Sequence, residues 1–353
     1  MCSKGAPSWS AFEGVRAGRK TLPRVLRSVA GCTIAIGWVG LGGCDGPQSA
    51  LDPAGRAAEQ IARLFWVMAG AAVAVWLAVV ALAVYAVRGA RTAEEERLAK
   101  FLIIGGGAVV PTVVLAVLLV YGLSMMPGLV ARAPEGSLEI AVTGEQWWWR
   151  VRYRPPDGGE VVLANEIRLP VDTTVEFHLD SPDVIHSFWI PALGGKMDMI
   201  PGRKTRLVLA PTRAGIYRGV CAEYCGTAHA LMAFPVVVME KEEFARWLDE
   251  QRQPAREPAE FVTVRGRDFF FANGCSACHA VRGTSADGVV GPDLTHVGSR
   301  LSIGAGILPN EPDAFHRWLG ETNQLKPGVQ MPHFGMLPPE ELRAIAAYLE
   351  SLK

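Results

Sequence analysis

The stretch Cys221-Ala-Glu-Tyr-Cys225-Gly-Thr-Ala-His229-Ala-Leu-Met232 decides how the rest of the chain is read. It gathers two thiols, an imidazole and a thioether, the soft donors that select copper. One loop that turns back on itself can bring such spacings to a common point. A disulfide and a structural zinc site are the bland alternatives. Methionine is a poor zinc ligand, and zinc sites favour Cys-x-x-Cys over the Cys-x-x-x-Cys found here. A single blue-copper ion needs one cysteine with two histidines and a weak methionine, so the second thiol is surplus to it. Two coppers sharing two bridging thiolates would use both. A second histidine must then come from upstream, and the strand-like Asp183-Val-Ile-His186-Ser-Phe-Trp-Ile-Pro191 offers it.

Together these segments closely resemble the CuA domain of haem–copper oxidase subunit II. The likeness continues through Gly194-Gly-Lys-Met-Asp-Met-Ile-Pro-Gly-Arg203 and Gly144-Glu-Gln-Trp147-Trp-Trp149. It implies that His186, Cys221, Cys225, His229 and Met232 bind a dinuclear copper centre, with Glu223 giving its backbone carbonyl. It also implies that Trp147, the first tryptophan of the family's Gly-x-Gln-Trp-x-Trp segment, lies at the surface over copper and admits electrons. On a strand, Trp147 and Trp149 share one face and Trp148 takes the other. Packing in the core or at a membrane interface is the alternative for Trp148 and Trp149. Glu145 stands where the family usually carries histidine.

A chain of 353 residues suits two or three domains. Its formal net charge of zero gives no bulk electrostatic case for nucleic acid or an acidic substrate. Of the seven cysteines, Cys221 and Cys225 go to copper and Cys275 and Cys278 to a second motif. Cys2, Cys32 and Cys44 lie in the leader region, so no pair is left for a structural bridge.

In chain order, residues 1–43 read as a signal peptide of lipoprotein type. A basic region from Arg16 to Arg27 precedes the apolar Val29 to Leu41, and Leu41-Gly-Gly-Cys44 resembles a bacterial lipoprotein cleavage box. Ordinary cleavage with Cys44 incidental is the alternative. A transmembrane hairpin follows over 44–136, with helices at about 62–88 and 101–126, each apolar enough to span a bilayer. The loop carrying Arg88, Arg91, Arg97 and Lys100 goes to the cytoplasm by the positive-inside rule, which sends the mature N-terminus and everything after Met126 to the other side. Residues 137–252 hold short β-rich runs with Gly and Pro turns, the pattern of a cupredoxin-like Greek-key sandwich, and end in an amphipathic helix over Lys241 to Gln253. A flexible linker at 253–258, with an average span of about 12–15 Å, leads to an all-α domain over 259–353.

That last domain contains Cys275-Ser-Ala-Cys278-His279, the attachment pattern of a c-type haem. A thioredoxin-like redox pair is the rival, without its βαβ setting or a use for the histidine. The domain resembles a small class I cytochrome c. The likeness rests on Gly291-Pro-Asp-Leu294 behind the proximal His279, a middle helix over Asp313 to Gly320, Met331-Pro332 on a loop, and a closing helix over Pro339 to Leu352. It implies that Met331 is the sixth iron ligand, with Met336, His333 and His296 as the other candidates. His178, His296, His316 and His333 otherwise read as solvent or packing residues.

The whole then resembles subunit II of a terminal haem–copper oxidase with a cytochrome c domain fused behind it. The resemblance implies electron transfer from a cytochrome c or quinol-oxidising complex through haem c and CuA to subunit I, where oxygen becomes water. It also implies subunit III as a further partner, a bacterial inner membrane, and room for a magnesium ion at the interface with subunit I. Two rivals are a CuA-bearing nitric oxide reductase and a membrane-anchored copper carrier. Related subunits often carry an acidic residue near the start of the second membrane helix. Leu102-Ile-Ile-Gly-Gly-Gly107 has none, so proton pumping does not follow.

Overall fold

The computed structural model describes residues 46–88, 95–311 and 313–353; the leader, Cys44 and Arg91 lie outside them. Two long helices come first. Helix α1 (Arg56–Arg88) and the helix from Glu95 to Val130 reach mean hydropathies of 2.6 and 2.5 over their most apolar windows, and those windows are unburied. Both exceed the length that crosses a bilayer. Helix α1 starts six residues before the sequence expectation. Its first turns dock on the domain that follows: Ala58 and Ala62 are buried, and Glu59 accepts a hydrogen bond from Thr212 Oγ1 at 2.9 Å. The second helix is not uniform. An α-helical start, α2 (Glu95–Phe101), opens into π-helix over Leu102–Val109 and returns to α over α3 (Val110–Val130). The Val110 N–H reaches back to Gly105 O, five residues away. Pro111 lacks an N–H and crowds the preceding turn, and widening that turn over the Gly105-Gly106-Gly107 run relieves the clash.

The middle domain is a sandwich of two five-stranded sheets. Strands β1 (Leu138–Glu145), β2 (Trp148–Arg154), β3 (Val161–Ala164), β5 (Val175–Asp180) and β8 (Thr205–Leu209) form one in the order β3-β2-β1-β5-β8. The other has the order β4-β10-β9-β6-β7, from β4 (Ile167–Pro170), β6 (His186–Trp189), β7 (Met197–Met199), β9 (Gly215–Cys221) and β10 (Ala233–Met239). The parallel pairs β1·β5 and β4·β10 join strands distant in sequence, as a Greek key requires. Strand alternation turns Ile140, Val142, Trp149, Val151 and Phe177 inward against Phe188 and Phe234 of the facing sheet. Phe188 stacks on Phe234 at 5.1 Å, and Trp149 meets Phe234 edge-on at 5.2 Å. Helix α4 (Lys241–Arg252) closes one end by seating Phe244 and Trp247 against the buried Tyr153.

The C-terminal domain packs α5 (Phe261–Ala272), α6 (Ala314–Leu325) and α7 (Pro339–Ser351) around a second core. Helices α5 and α7 cross at Gly266, where a Cβ would lie 1.9 Å from Ala344 O. Only glycine permits that approach.

The expectation of a loose tether fails. Gln253 O accepts from His296 Nε2 at 3.0 Å, and Ala255 N donates to Arg282 O at 2.8 Å, so both sides of the linker are fixed. Arg282 also donates to Gln251 O (2.6 Å) and Val162 O (3.3 Å), while Glu166 accepts from Leu301 N at 2.7 Å. Arg150, paired with Glu145 at 2.7 Å and lying over the Trp148 ring, reaches Val289 O at 2.9 Å. Glu145 in the usual histidine position thus orients an arginine that holds the two domains together.

Candidate metal and haem sites

Strand β9 ends at Cys221 beside β6, pairing Cys221 with Phe188, two residues after His186. The chain then loops out and returns through a 3₁₀ turn at His229–Leu231 to begin β10. Cys221 N donates to Met232 O at 2.9 Å, closing the loop on itself. All six donors expected from the sequence meet there. Cys221 Sγ lies 3.7 Å from His186 Nδ1, 3.8 Å from Cys225 Sγ and 3.2 Å from Glu223 O. Cys225 Sγ lies 3.6 Å from His229 Nδ1 and 3.9 Å from Met232 Sδ. The two sulfurs are buried, unbonded, and far beyond the roughly 2.0 Å of a disulfide. Each faces one imidazole, so the donor set divides into two near-equivalent halves about the sulfur pair, which fits two metal ions bridged by both thiolates.

Hydrogen bonding from Cys225 holds the Cys221 thiol far below its ordinary range and pushes Cys225 up, so the pair releases its first proton readily. Burial opposes charge on His186, but hydrogen bonds to Cys221 and Asp183 outweigh it and raise its pKa. Asp183 has no warning in the sequence beyond standing three residues before His186. Its Oδ1 lies 3.0 Å from His186 Nε2, which leaves Nδ1 turned to the sulfurs. Its other oxygen accepts from Gln146 N at 2.7 Å, so one carboxylate ties the ligand histidine to the tryptophan segment.

Trp147 departs from expectation. Strand β2 starts at Trp148, and Trp147 precedes it on a turn with 8% exposure, covered by the C-terminal domain instead of facing solvent. Its Nε1 donates to Cys225 O at 2.9 Å, beside Gln146 Nε2 at 2.7 Å on the same oxygen. Its ring forms part of the wall of a cavity of about 340 Å³ in the C-terminal domain. Trp149 is a core residue, 0% exposed.

Cys275, Cys278, His279 and Met331 all line that cavity. His279 Nδ1 bonds Pro292 O at 2.8 Å as the donor, which turns Nε2 inward, and burial holds the ring below its ordinary pKa and therefore neutral. A Cβ on Gly291 would sit 2.6 Å from His279 Cε1, so glycine is required beside the ring. Apolar walls from Phe270, Leu319 and Ile345, two thiols and a neutral imidazole fit a covalent c-type haem. Met336 is 68% exposed and stands outside the lining, His333 is exposed, and His296 serves the linker. Lys326 was not foreseen. It is 2% exposed at the same wall, donates to Trp147 O at 2.7 Å and Gly304 O at 3.0 Å, and burial pushes its pKa down to about 7.

Comparison with known proteins finds a matching family model for each of the two domains. Residues 156–241 match the model of the cytochrome c oxidase subunit II periplasmic domain, and residues 263–353 match that of cytochrome c. The chain is 37% identical to cytochrome c oxidase subunit 2 of Alkalihalophilus pseudofirmus over 219 residues, 62% of either chain. It is 32% identical to the same subunit of Bacillus subtilis over 232 residues, 63% of this chain and 64% of the relative. The chain thus spans under two thirds of the length of these relatives. The solved periplasmic domain of cytochrome oxidase subunit II (CoxB) of Bradyrhizobium japonicum is 32% identical, with a TM-score of 0.32 over 34% of this chain and 97% of that one.

Proposed function

We propose that this chain, which joins a subunit II periplasmic domain to a cytochrome c domain, is the electron-input subunit of a membrane-bound terminal haem–copper oxidase. The observation that carries the reading is Trp147, bonded to Cys225 O in the copper loop and exposed to the haem cavity on its other side. One-electron transfer is what a haem c and a dinuclear copper centre supply when bound. The chain's own residues do the holding. Cys275 and Cys278 would anchor the haem, and His279 and Met331 would bind its iron. His186, Cys221, Cys225, His229, Met232 and the Glu223 carbonyl would hold the copper pair.

The burial of both thiols and of His186 keeps water from the site, and the paired strands β6, β9 and β10 hold the loop that carries the donors. Trp147 and the cross-domain bonds of Arg150, Glu166 and Lys326 keep the two sites in register. Helix α1 and the helix from Glu95 to Val130 anchor the chain in the membrane, with both cofactor domains outside the cytoplasm. A cytochrome c or quinol-oxidising complex is the donor, and subunit I, with its own oxygen-reducing site, is the acceptor. Subunit III and a magnesium ion at the interface with subunit I belong to the same reading.

The test is purification of the chain from its native membrane with its partners. The expected complex consumes oxygen and shows both a covalent haem c and a mixed-valence copper spectrum. A copurifying subunit that reduces nitric oxide and not oxygen, or a chain with loosely held copper and no mixed-valence signal, would overturn the proposal.

A further inference from the structure

Lys326 is an ammonium group enclosed by two domains. It follows α6, where a lysine would ordinarily reach solvent, yet its side chain is buried between the Trp147 turn and the Gly304 loop. Its bonded partners among the described residues are two neutral carbonyls, Trp147 O and Gly304 O. An ammonium carries three donors, so one remains. Two carbonyl dipoles offset only part of the cost of a buried charge, which calls for an anion.

The cavity that Lys326 lines is mostly apolar, with Gln146, Asn165, Asn273 and Gln330 among its polar lining and two further groups suited to an anion. Arg300 lines it and donates to Asp293 O. Ser302 lines it too, and its buried Oγ has no partner among the described residues. Two cationic side chains and an unsatisfied hydroxyl thus face a space whose thiols and axial ligands suit a haem. A haem brings two carboxylates, the anionic groups this wall lacks.

We infer that Lys326 is a positioning residue that shares its ammonium between the Trp147 carbonyl and a carboxylate of the haem, locking the haem to the copper domain's electron path. The inference rests on the reading of the cavity as a haem site. The lock acts in both directions. It fixes the haem against the partner domain, and it places a positive charge beside the haem that favours the reduced state.

The test uses the full chain with haem attached and copper loaded. Lys326→Met keeps the length of the side chain and removes the charge. It should lower the haem midpoint potential, which alone would raise the driving force for haem-to-copper transfer, and should nonetheless slow flash-induced transfer because the haem is no longer held against the copper domain. Lys326→Arg should keep the potential near wild type. A residue that merely packs would leave the potential unmoved, so an unchanged potential in Lys326→Met with haem attached overturns the inference, and infrared spectra separate a carboxylate partner from an ammonium that bonds carbonyls alone. Should the methionine variant fail to accumulate, infrared redox-difference spectra of the wild type with carboxylate-labelled haem decide. A labelled band shifted as for a carboxylate paired to an ammonium supports the lock, and a band typical of a solvated carboxylate overturns it. A wild-type chain without covalent haem would instead remove the reading on which the inference rests.

Discussion

Replacing Asp183 by Asn tests whether the copper loop is held by its surroundings as much as by its ligands. The carboxylate accepts four bonds: Val184 N at 2.6 Å, Gln146 N at 2.7 Å, His186 Nε2 at 3.0 Å and Ser181 Oγ at 3.1 Å. Asn offers one acceptor oxygen and turns an NH₂ toward whatever the other oxygen had faced. Either Gln146 N or the His186 Nε2–H then meets a donor. Leaving one such group unpaired costs about 1–3 kcal/mol, toward the low end here because the Asp183 side chain is 29% exposed. The copper consequence is separable, since partners behind a ligand histidine are commonly worth about 10–100-fold in metal affinity. Competition for Cu(I) and Cu(II) against a chromophoric chelator, with calorimetry of the same samples, reads both effects. Wild-type affinity together with a wild-type melting temperature in Asp183→Asn would show that the carboxylate does not support the site, and would refute the reasoning.

Four further outcomes are expected. Cys225→Ser removes a bridging thiolate, for which a hard alcohol is a poor substitute, so the mixed-valence spectrum should vanish while the haem spectrum survives; persistence of a delocalised copper pair would contradict the bridging role. Met331→Ala should lower the haem potential and open the iron to carbon monoxide, whereas Met336→Ala at its exposed site should do neither, as optical titration would register. Gly266→Val drives a branched side chain into Ala344 O, and overpacking of about 1–3 kcal/mol in a domain of this size lowers its melting transition by roughly 4–24 °C; calorimetry should show the sandwich transition unmoved. Trp147→Phe keeps the ring but loses the bond to Cys225 O, and should slow haem-to-copper transfer severalfold with haem reduction by an external donor unchanged; a normal transfer rate in flash experiments would reduce Trp147 to packing.

Local chemistry was legible in the sequence where it is written in short spacings. Cys221 to Met232 and Cys275 to His279 each fold within one loop, so the spacing alone says which side chains come together. Strands β1, β3, β5, β8 and β10 are visible as β-branched runs. β4 (Ile-Arg-Leu-Pro) and β7 (Met-Asp-Met) are not, because neither carries such a run and each is defined by its partner strand. The long-range facts were hidden for the same reason. Nothing near Lys326 in the sequence announces that its ammonium will rest on the Trp147 carbonyl. The burial of Trp147 was missed because a linker rich in Pro and charge reads as loose, whereas His296 and Arg282, both beyond it, hold its two sides. Helix α1 outran its predicted start because Arg56 to Ala62 serve the sandwich and not the bilayer.

The coverage of Trp147 by the haem domain has a consequence for how such a chain chooses its clients. With the indole shut away from solvent, a soluble electron carrier of the kind the proposed function calls for would have no direct access to the copper loop and would have to present itself to the C-terminal domain. Recognition of the donor and delivery to copper are then handled by different surfaces that can change independently. The C-terminal domain becomes an adaptor. Remodelling its outer face would re-address the chain to a new donor, while the contacts through Arg150, Glu166 and Lys326 leave the inner delivery step as it was.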